Sequence, residues 1–259
     1  MEIRVGCCGW SFFRPREYFG SEWKKDYASI LQAYSSKFPL VEVNSSFYRI
    51  PQKKTAERWL KEARGKNSEF EFAVKAFRGI THTEKFGRDS LEMFDSVKAV
   101  CRALEARILL FQTAASFGPS AENLGAMRRF FGKAKRARMR LVWEPRGEWL
   151  KKPGRIREAC EEFGLVECVD PLRNELAKKD SKMAYFRLHG FGRPMMYNYR
   201  FSDAELRRVK KVVSGCGAER AYVLFNNYFM YDDAKRFERI SLTAKAPHFA
   251  LRAKSAGGF

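Results

Sequence analysis

Seven residues of this chain carry the ionisable chemistry: Glu42, Lys75, Glu144, Arg146, Asp170, Arg187 and His189. Each stands at or just past the end of a short apolar run, where a half-buried strand would ordinarily place Val or Leu. Such conflicts between pattern and chemistry gather at functional sites. Glu42 and Glu144 could form an acid/base pair. Lys75, Arg146, Arg187 and His189 could stabilise developing negative charge or move a proton. Glycosidic hydrolysis needs two carboxyls about 5 to 9.5 Å apart, a separation that sequence leaves open. Glu42, Glu144, Asp170 and His189 also make a ligand set better suited to Mg2+ or Mn2+ than to structural zinc. The competing cations Lys75, Arg146 and Arg187 argue against tight metal binding, so no cofactor is required by the sequence.

Polar residues beside these would orient a substrate. Asn44, Gln112, Asn226 and Asn227 end apolar runs of their own, and Trp10, Phe47 and Tyr48 offer rings for stacking on a sugar or base. In His189-Gly190-Phe191-Gly192-Arg193-Pro194, glycines that allow close backbone approach and the forked donors of Arg187 and Arg193 suggest an anion site. A simple turn reads equally well there. Arg49 and Arg193 belong to a wider set with Arg14, Arg16, Arg78, Arg88 and Arg200, on loops that follow strands. The densest basic run, Arg128 to Arg138, falls on a helix and its exit and reads as a solvated face.

The elements that must position these groups are eight apolar segments: Ile3 to Gly9, Leu40 to Asn44, Phe70 to Lys75, Ile108 to Gln112, Leu141 to Pro145, Leu165 to Asp170, Ala184 to His189 and Tyr222 to Asn226. Segments with helical spacing lie between them, at Trp23 to Lys37, Pro51 to Ala63, Ser90 to Leu104, Asn123 to Lys135, Arg155 to Phe163 and Asp203 to Val213. Eight β/α alternations in 259 residues predict an α/β protein with a single (β/α)8 TIM-type barrel, a doubly wound sheet being the competitor. One domain over 1–254 with a frayed tail at 255–259 is the expectation. Strand phase then sorts the residues. Glu42 with Asn44, Ala73 with Lys75, Leu110 with Gln112, Val142 with Glu144, Cys168 with Asp170, Arg187 with His189 and Leu224 with Asn226 share the inward parity. The alternate residues are nearly all apolar. The polar set should therefore converge at the C-terminal ends of the strands, where barrel sites are built.

Six segments together resemble the domain of unknown function 72 (YecE-like) family: Gly9-Trp10-Ser11, Val41 to Arg49, Phe72-Ala73-Val74-Lys75, Ile80-Thr81-His82, Tyr185 to Gly190 and Phe225-Asn226-Asn227. The resemblance spans nearly the whole chain in order and implies a TIM-type barrel, without a settled reaction. Two segments depart from the family's pattern. Phe111-Gln112-Thr113 lacks the expected proline after the glutamine, and Trp143-Glu144-Pro145-Arg146 replaces a more usual Glu-Phe-Arg, so rigid Pro145 changes the reach of Arg146.

Fifty Lys plus Arg against 30 Asp plus Glu leave a formal charge of +20, enough to attract polyanions; a heat-adapted surface is the other reading. The 23 Phe, 10 Tyr and 5 Trp suffice for a large core without staples. Six cysteines without CxxC spacing read as buried thiols, with adjacent Cys7 and Cys8 on opposite strand faces. No apolar run approaches a membrane span and the N-terminus runs straight into a strand, which together predict a cytoplasmic protein without membrane contact. Oligomeric state is left open. The leading expectation is a barrel enzyme acting on a phosphorylated or nucleic-acid substrate by acid/base and electrostatic catalysis. A carbohydrate-active hydrolase using Glu42 and Glu144 and a non-catalytic nucleic-acid-binding barrel are the alternatives.

Overall fold

The structure is a computed structural model that describes residues 1–242. His248 and the tail expected to fray at 255–259 lie outside the described residues. Eight strands, β1 (Glu2–Cys7), β2 (Leu40–Val43), β3 (Glu71–Lys75), β4 (Ile108–Gln112), β5 (Arg140–Glu144), β6 (Val166–Val169), β7 (Met183–Leu188) and β8 (Arg220–Phe225), pair in parallel and in sequence order, and β8 closes on β1. This is the (β/α)8 barrel that the alternation predicts.

The helices α1 (Pro15–Phe19) and α2 (Ile30–Ser35) precede β2, and α3 (Lys53–Arg64), α4 (Ser90–Ala103), α5 (Ala121–Lys133) and α6 (Pro153–Phe163) follow β2 to β5 in turn. α7 (Asp203–Ser214) and α8 (Met230–Leu242) follow β7 and β8. Two connections differ from expectation. The helix expected over Trp23 to Lys37 is broken into a 3-10 turn at Trp23–Lys25 and α2. Ser29 caps α2 by accepting from Gln32 N at 3.2 Å, while Gln32 Oε1 accepts from Ala28 N at 2.8 Å, so local side-chain bonds stop the backbone from running on as one helix. Between β6 and β7 the chain has no helix, and buried Glu167 on the outer face of β6 accepts from Lys178 N at 2.9 Å. A loop, anchored by one buried carboxyl, covers the barrel there.

Strand phase holds throughout. Val41, Val43, Phe72, Val74, Leu109, Phe111, Leu141, Trp143, Phe186, Leu188, Val223 and Phe225 join the core that faces the helices. Leu40, Ala73, Leu110, Val142, Tyr185 and Leu224 belong to a separate apolar cluster inside the barrel. That interior is a packed plug rather than a pore. Cys7 joins the outer cluster and Cys8 the inner one, and all six thiols are free and buried. Among the described residues no helix is long and apolar enough to cross a membrane.

Candidate functional site

The plug ends upward in a layer of charge centred on Arg187, which is wholly buried. Its Nη2 donates to Glu42 Oε1 at 2.8 Å and its Nη1 to Glu144 Oε2 at 2.5 Å, so one guanidinium joins carboxylates from β2 and β5. The same Nη2 approaches Cys8 Sγ at 3.6 Å. Tyr185 donates its hydroxyl to the other oxygen of Glu42 at 2.8 Å. Gln112 Nε2 donates to Glu144 Oε1 at 3.0 Å, and Arg146 Nη2 donates to that oxygen as well. Pro145 therefore does not carry Arg146 away; its guanidinium also lies 3.1 Å from His189 Nε2.

Asp170 is equally occupied. It accepts from Leu172 N and from His189 N, each at 3.1 Å, and its Oδ2 lies 3.6 Å from both His189 Nδ1 and Arg173 Nε. Among the described residues no three His, Cys, Asp or Glu side chains stand close enough to share a metal ion. The ligand set considered for Mg2+ or Mn2+ is instead divided among cations and backbone donors.

Electrostatics separate the groups. Burial alone would push the Glu144 carboxyl up, but Arg187, His189 and Arg146 outweigh it and hold the group well below the usual carboxylate range. Burial lowers His189 against the pull of Asp170. Lys75 is the exception. Among the described residues no carboxylate lies within ion-pair distance of its Nζ, although it is only 6% exposed. Burial, with Arg187 nearby, lowers its ammonium to about 8 against the opposing pull of Glu42 and Glu144.

The turn after β2 sets Lys75 in place. Ser46 Oγ lies 2.6 Å from both the Val43 and the Lys75 carbonyl, tying the turn to β3, and Phe47 from the same turn lies 4.1 Å beneath Nζ. A π-helical turn at Gly79–Thr83 brings the His82 ring edge-on to Phe47 at 5.0 Å. Burial, then Lys75 and Arg78, lower the His82 ring below its ordinary value. Asn44 Oδ1, on the same face as Glu42, is buried without a hydrogen-bond partner, and Asn226 lies on the inward parity of β8.

Other expected site residues fall elsewhere. Asn227 points outward, where its Nδ2 donates to Tyr199 O and to Asp233 Oδ2, both at 2.7 Å; it fastens the loop after β7 to α8. Trp10 packs edge-on against Trp59 of α3 at 5.0 Å. Gly190 has φ +88°, and a Cβ there would lie 2.4 Å from the Tyr199 Cβ, so the glycine serves loop closure. Arg173 donates to the Gly190 carbonyl, and Arg187 spends its fork on the two glutamates. The anion site expected on that loop is therefore left with Arg193, which is exposed.

The rim has its own pattern. Phe12, Tyr48, Phe191, Tyr197, Tyr228 and Phe229 are exposed on the loops after β1, β2, β7 and β8, which are neighbours in the closed barrel. Exposed Arg14, Arg49, Arg193 and Arg200 stand on the same arc. A cavity of about 730 Å³ between the first and last of these loops is lined by Phe12, Arg14, Tyr228 and Phe229. Sequence reading missed Tyr185, although it shares the parity of Arg187 two residues on; it named the arginines of the arc and Tyr48, but gave no role to Phe12, Phe191, Tyr197, Tyr228 and Phe229, which come from three further loops.

The chain matches the family described as "Protein of unknown function DUF72" over residues 4–250. It belongs to that family. The UPF0759 protein YunF of Bacillus subtilis (strain 168) is 29% identical over 264 residues, covering 87% of this chain and 88% of that protein. Among solved structures, a DUF72 family protein from Enterococcus faecalis V583 superposes with a TM-score of 0.71 at 20% identity, covering 93% of this chain and 95% of that one. Another, from Thermotoga maritima MSB8, gives 0.70 at 21% identity, covering 93% and 99%. A D-psicose 3-epimerase from Clostridium cellulolyticum H10 shares the fold at a TM-score of 0.53 and 8% identity, over 94% and 96% of the two chains. At these identities the likeness of the structures is one of fold.

Proposed function

We propose that the barrel mouth is an active site in which Lys75 is the proton-transfer group, acting on a nucleotide-bearing or otherwise phosphorylated substrate. The observation that carries this reading is the contrast between Lys75 and its neighbours. Glu42 and Glu144 are both engaged by Arg187, and Glu144, held well below the usual carboxylate range, is a poor proton donor or acceptor near neutral pH. Among the described residues Lys75 has no ion-pair partner; it ends β3 with a small exposure and changes charge at about pH 8. Its neutral amine serves as the base, and the two glutamates fix Arg187 as a permanent positive charge beside it. Arg146, with 28% of its side chain exposed, is placed to meet an anionic group entering from above.

The substrate class follows from the rim. Aromatic faces stack on bases and interleaved arginines neutralise phosphates, the combination that single strands and nucleotides use. The same occupation of Glu42 and Glu144 argues against the hydrolase reading, which needs one of them protonated and free.

Nucleotides, short single strands of DNA and RNA, and sugar phosphates assayed at low salt test this. Turnover of at least one class, with a rate that rises as pH passes through about 8, is expected. Lys75→Met should abolish turnover, by roughly a hundredfold or more, and leave binding intact. Binding without turnover by the wild type would replace the enzyme with a non-catalytic nucleic-acid-binding barrel, whose ion network is structural. Neither binding nor turnover would sink both readings.

A further inference from the structure

The opposite end of the barrel carries a second concentration of positive charge. A cavity of about 750 Å³ opens at the N-terminal ends of the strands, lined by seven cationic side chains and three carboxylates. Part of that charge is spent: Arg4 and Arg220 share Glu2 and Glu71 at 2.6 to 3.5 Å, and Arg64 holds Glu105 at 2.7 Å. The side chains of Arg102, Arg107 and Arg138 are exposed and make no ion pair or hydrogen bond among the described residues. They come from the end of α4, the lead-in to β4 and the lead-in to β5, three points remote in sequence that the barrel gathers at one opening. A buried Nε of Arg64 in the same wall also lacks a partner.

A second cavity of about 500 Å³ adjoins the first, sharing Arg107, Arg138 and Arg220 and adding Lys182, Arg140, which lies 3.8 Å from Asp180, and the carboxylates Glu2 and Glu219. Together they make a trough across the base of the barrel. Among the described residues no large exposed hydrophobic side chain lines either cavity, in contrast to the aromatic rim above. A surface that offers guanidinium forks without stacking platforms recognises phosphates and not bases.

We propose that this basal trough is a binding site for a linear run of phosphates, seated on Arg102, Arg107 and Arg138. Two sources present that chemistry, the backbone of a nucleic-acid duplex and free inorganic polyphosphate. The trough lies at the far end of the barrel from Lys75, across the apolar plug, and does not depend on the reaction proposed for the mouth.

Binding of a short DNA duplex and of long-chain inorganic polyphosphate is measured across a range of salt concentrations for three proteins. They are the wild type, the triple variant R102Q/R107Q/R138Q, and a control that removes three exposed charges from α5 and its exit, R129Q/K133Q/K135Q. The basal variant should lose roughly tenfold or more in affinity at low salt and about 2 to 3 units of the salt slope on the duplex, since each lost phosphate contact is worth about 0.9. The control should keep most of both. Loss on the duplex identifies a nucleic-acid backbone as the occupant, and loss on polyphosphate alone identifies the free polymer. The proposal is overturned if the wild type binds neither polymer, or if the control loses as much as the basal variant. The three arginines hold no partner, so the variant should melt within a few degrees of the wild type. Single reversals R107E and R138E decide the question should the triple variant not fold.

Discussion

Replacing Arg187 by Met would leave two carboxylates at the centre of the barrel without the cation that joins them. Glu42 is wholly buried and Glu144 is 4% exposed, so neither can recover its lost bonds, at 2.8 and 2.5 Å, from water. Removing one partner of a buried ion pair costs about 3 to 5 kcal/mol. At roughly 2 to 4 °C per kcal/mol for a domain of this size, the melting temperature should fall by on the order of 10 °C. Arg146 still touches Glu144, so Glu42, left with Tyr185 alone, carries the larger share. The pH dependence supplies the sharper check. In the wild type the lowered Glu144 contributes stability that is present above the ordinary carboxylate value of 4.5 and is lost as pH falls below it. With Arg187 gone, burial favours protonation, and the sign reverses: the variant is best off below that value and loses stability as pH rises. Urea unfolding at pH 5 and pH 8 should therefore show a deficit that is larger at pH 8. Adding Glu42→Gln and Glu144→Gln should restore most of it, since neutral amides can keep the bonds to Tyr185 and Gln112. Unchanged stability at pH 8, or a deficit that neither acid nor the amides relieve, would refute the account of a network held by one buried guanidinium.

Two other outcomes concern the frame around the site. Burial raises the Glu167 carboxyl to about 7, against the bonds it accepts from the Lys178 and Ala177 backbone, so its contribution to stability is full below 4.5 and lost as pH rises through 7. At 1.36 kcal/mol per unit the loss is about 3 kcal/mol, and Glu167→Gln should flatten that part of a stability profile measured from pH 4 to 8. Gly147 sits at φ +65°, where a Cβ would come within 2.2 Å of the Ala115 carbonyl oxygen, so Gly147→Ala should destabilise by at least about 1 to 2 kcal/mol in a thermal melt and displace Arg146 next to it.

Much of this molecule could be read from its sequence because barrel strands obey two strict regularities, parity along each strand and order around the sheet. Parity alone separated Glu42 from Val43, Glu144 from Trp143 and Arg187 from Leu188, and the order of segments gave the closed sheet. The same argument could not follow Asn227, which lies beyond the end of β8 on the outward face and finds Asp233 of α8. Helix length failed where side chains compete with the backbone: the chain from Trp23 to Lys37 is apolar at helical intervals, yet Ser29 and Gln32 interrupt it. Arg187 was legible as a charge on an inward face, whereas its role as the bridge between two glutamates depends on distances across the barrel that no spacing encodes. Rim and basal groups were harder still, since Phe12 and Tyr228, or Arg102 and Arg138, meet only after the sheet has closed.

The two ends of the barrel show how the charge of the chain is divided. At the mouth, Glu42, Glu144 and Asp170 are each engaged by Arg187, Arg146 or Arg173. Among the described residues Lys75 is left as a buried cation there without a counter-ion. At the base, Glu2 and Glu71 are shared between Arg4 and Arg220, and three further arginines are left over at the opening. The plug from Leu40 to Leu224 separates these groups with apolar side chains, a medium in which an unpaired ion is costly and cannot migrate. The two ends therefore cannot compensate one another across the plug. A single amine that titrates near 8 can shed its charge by giving up its proton. Three exposed guanidiniums stay charged at any physiological pH and are solvated by water, which leaves them open to an anion.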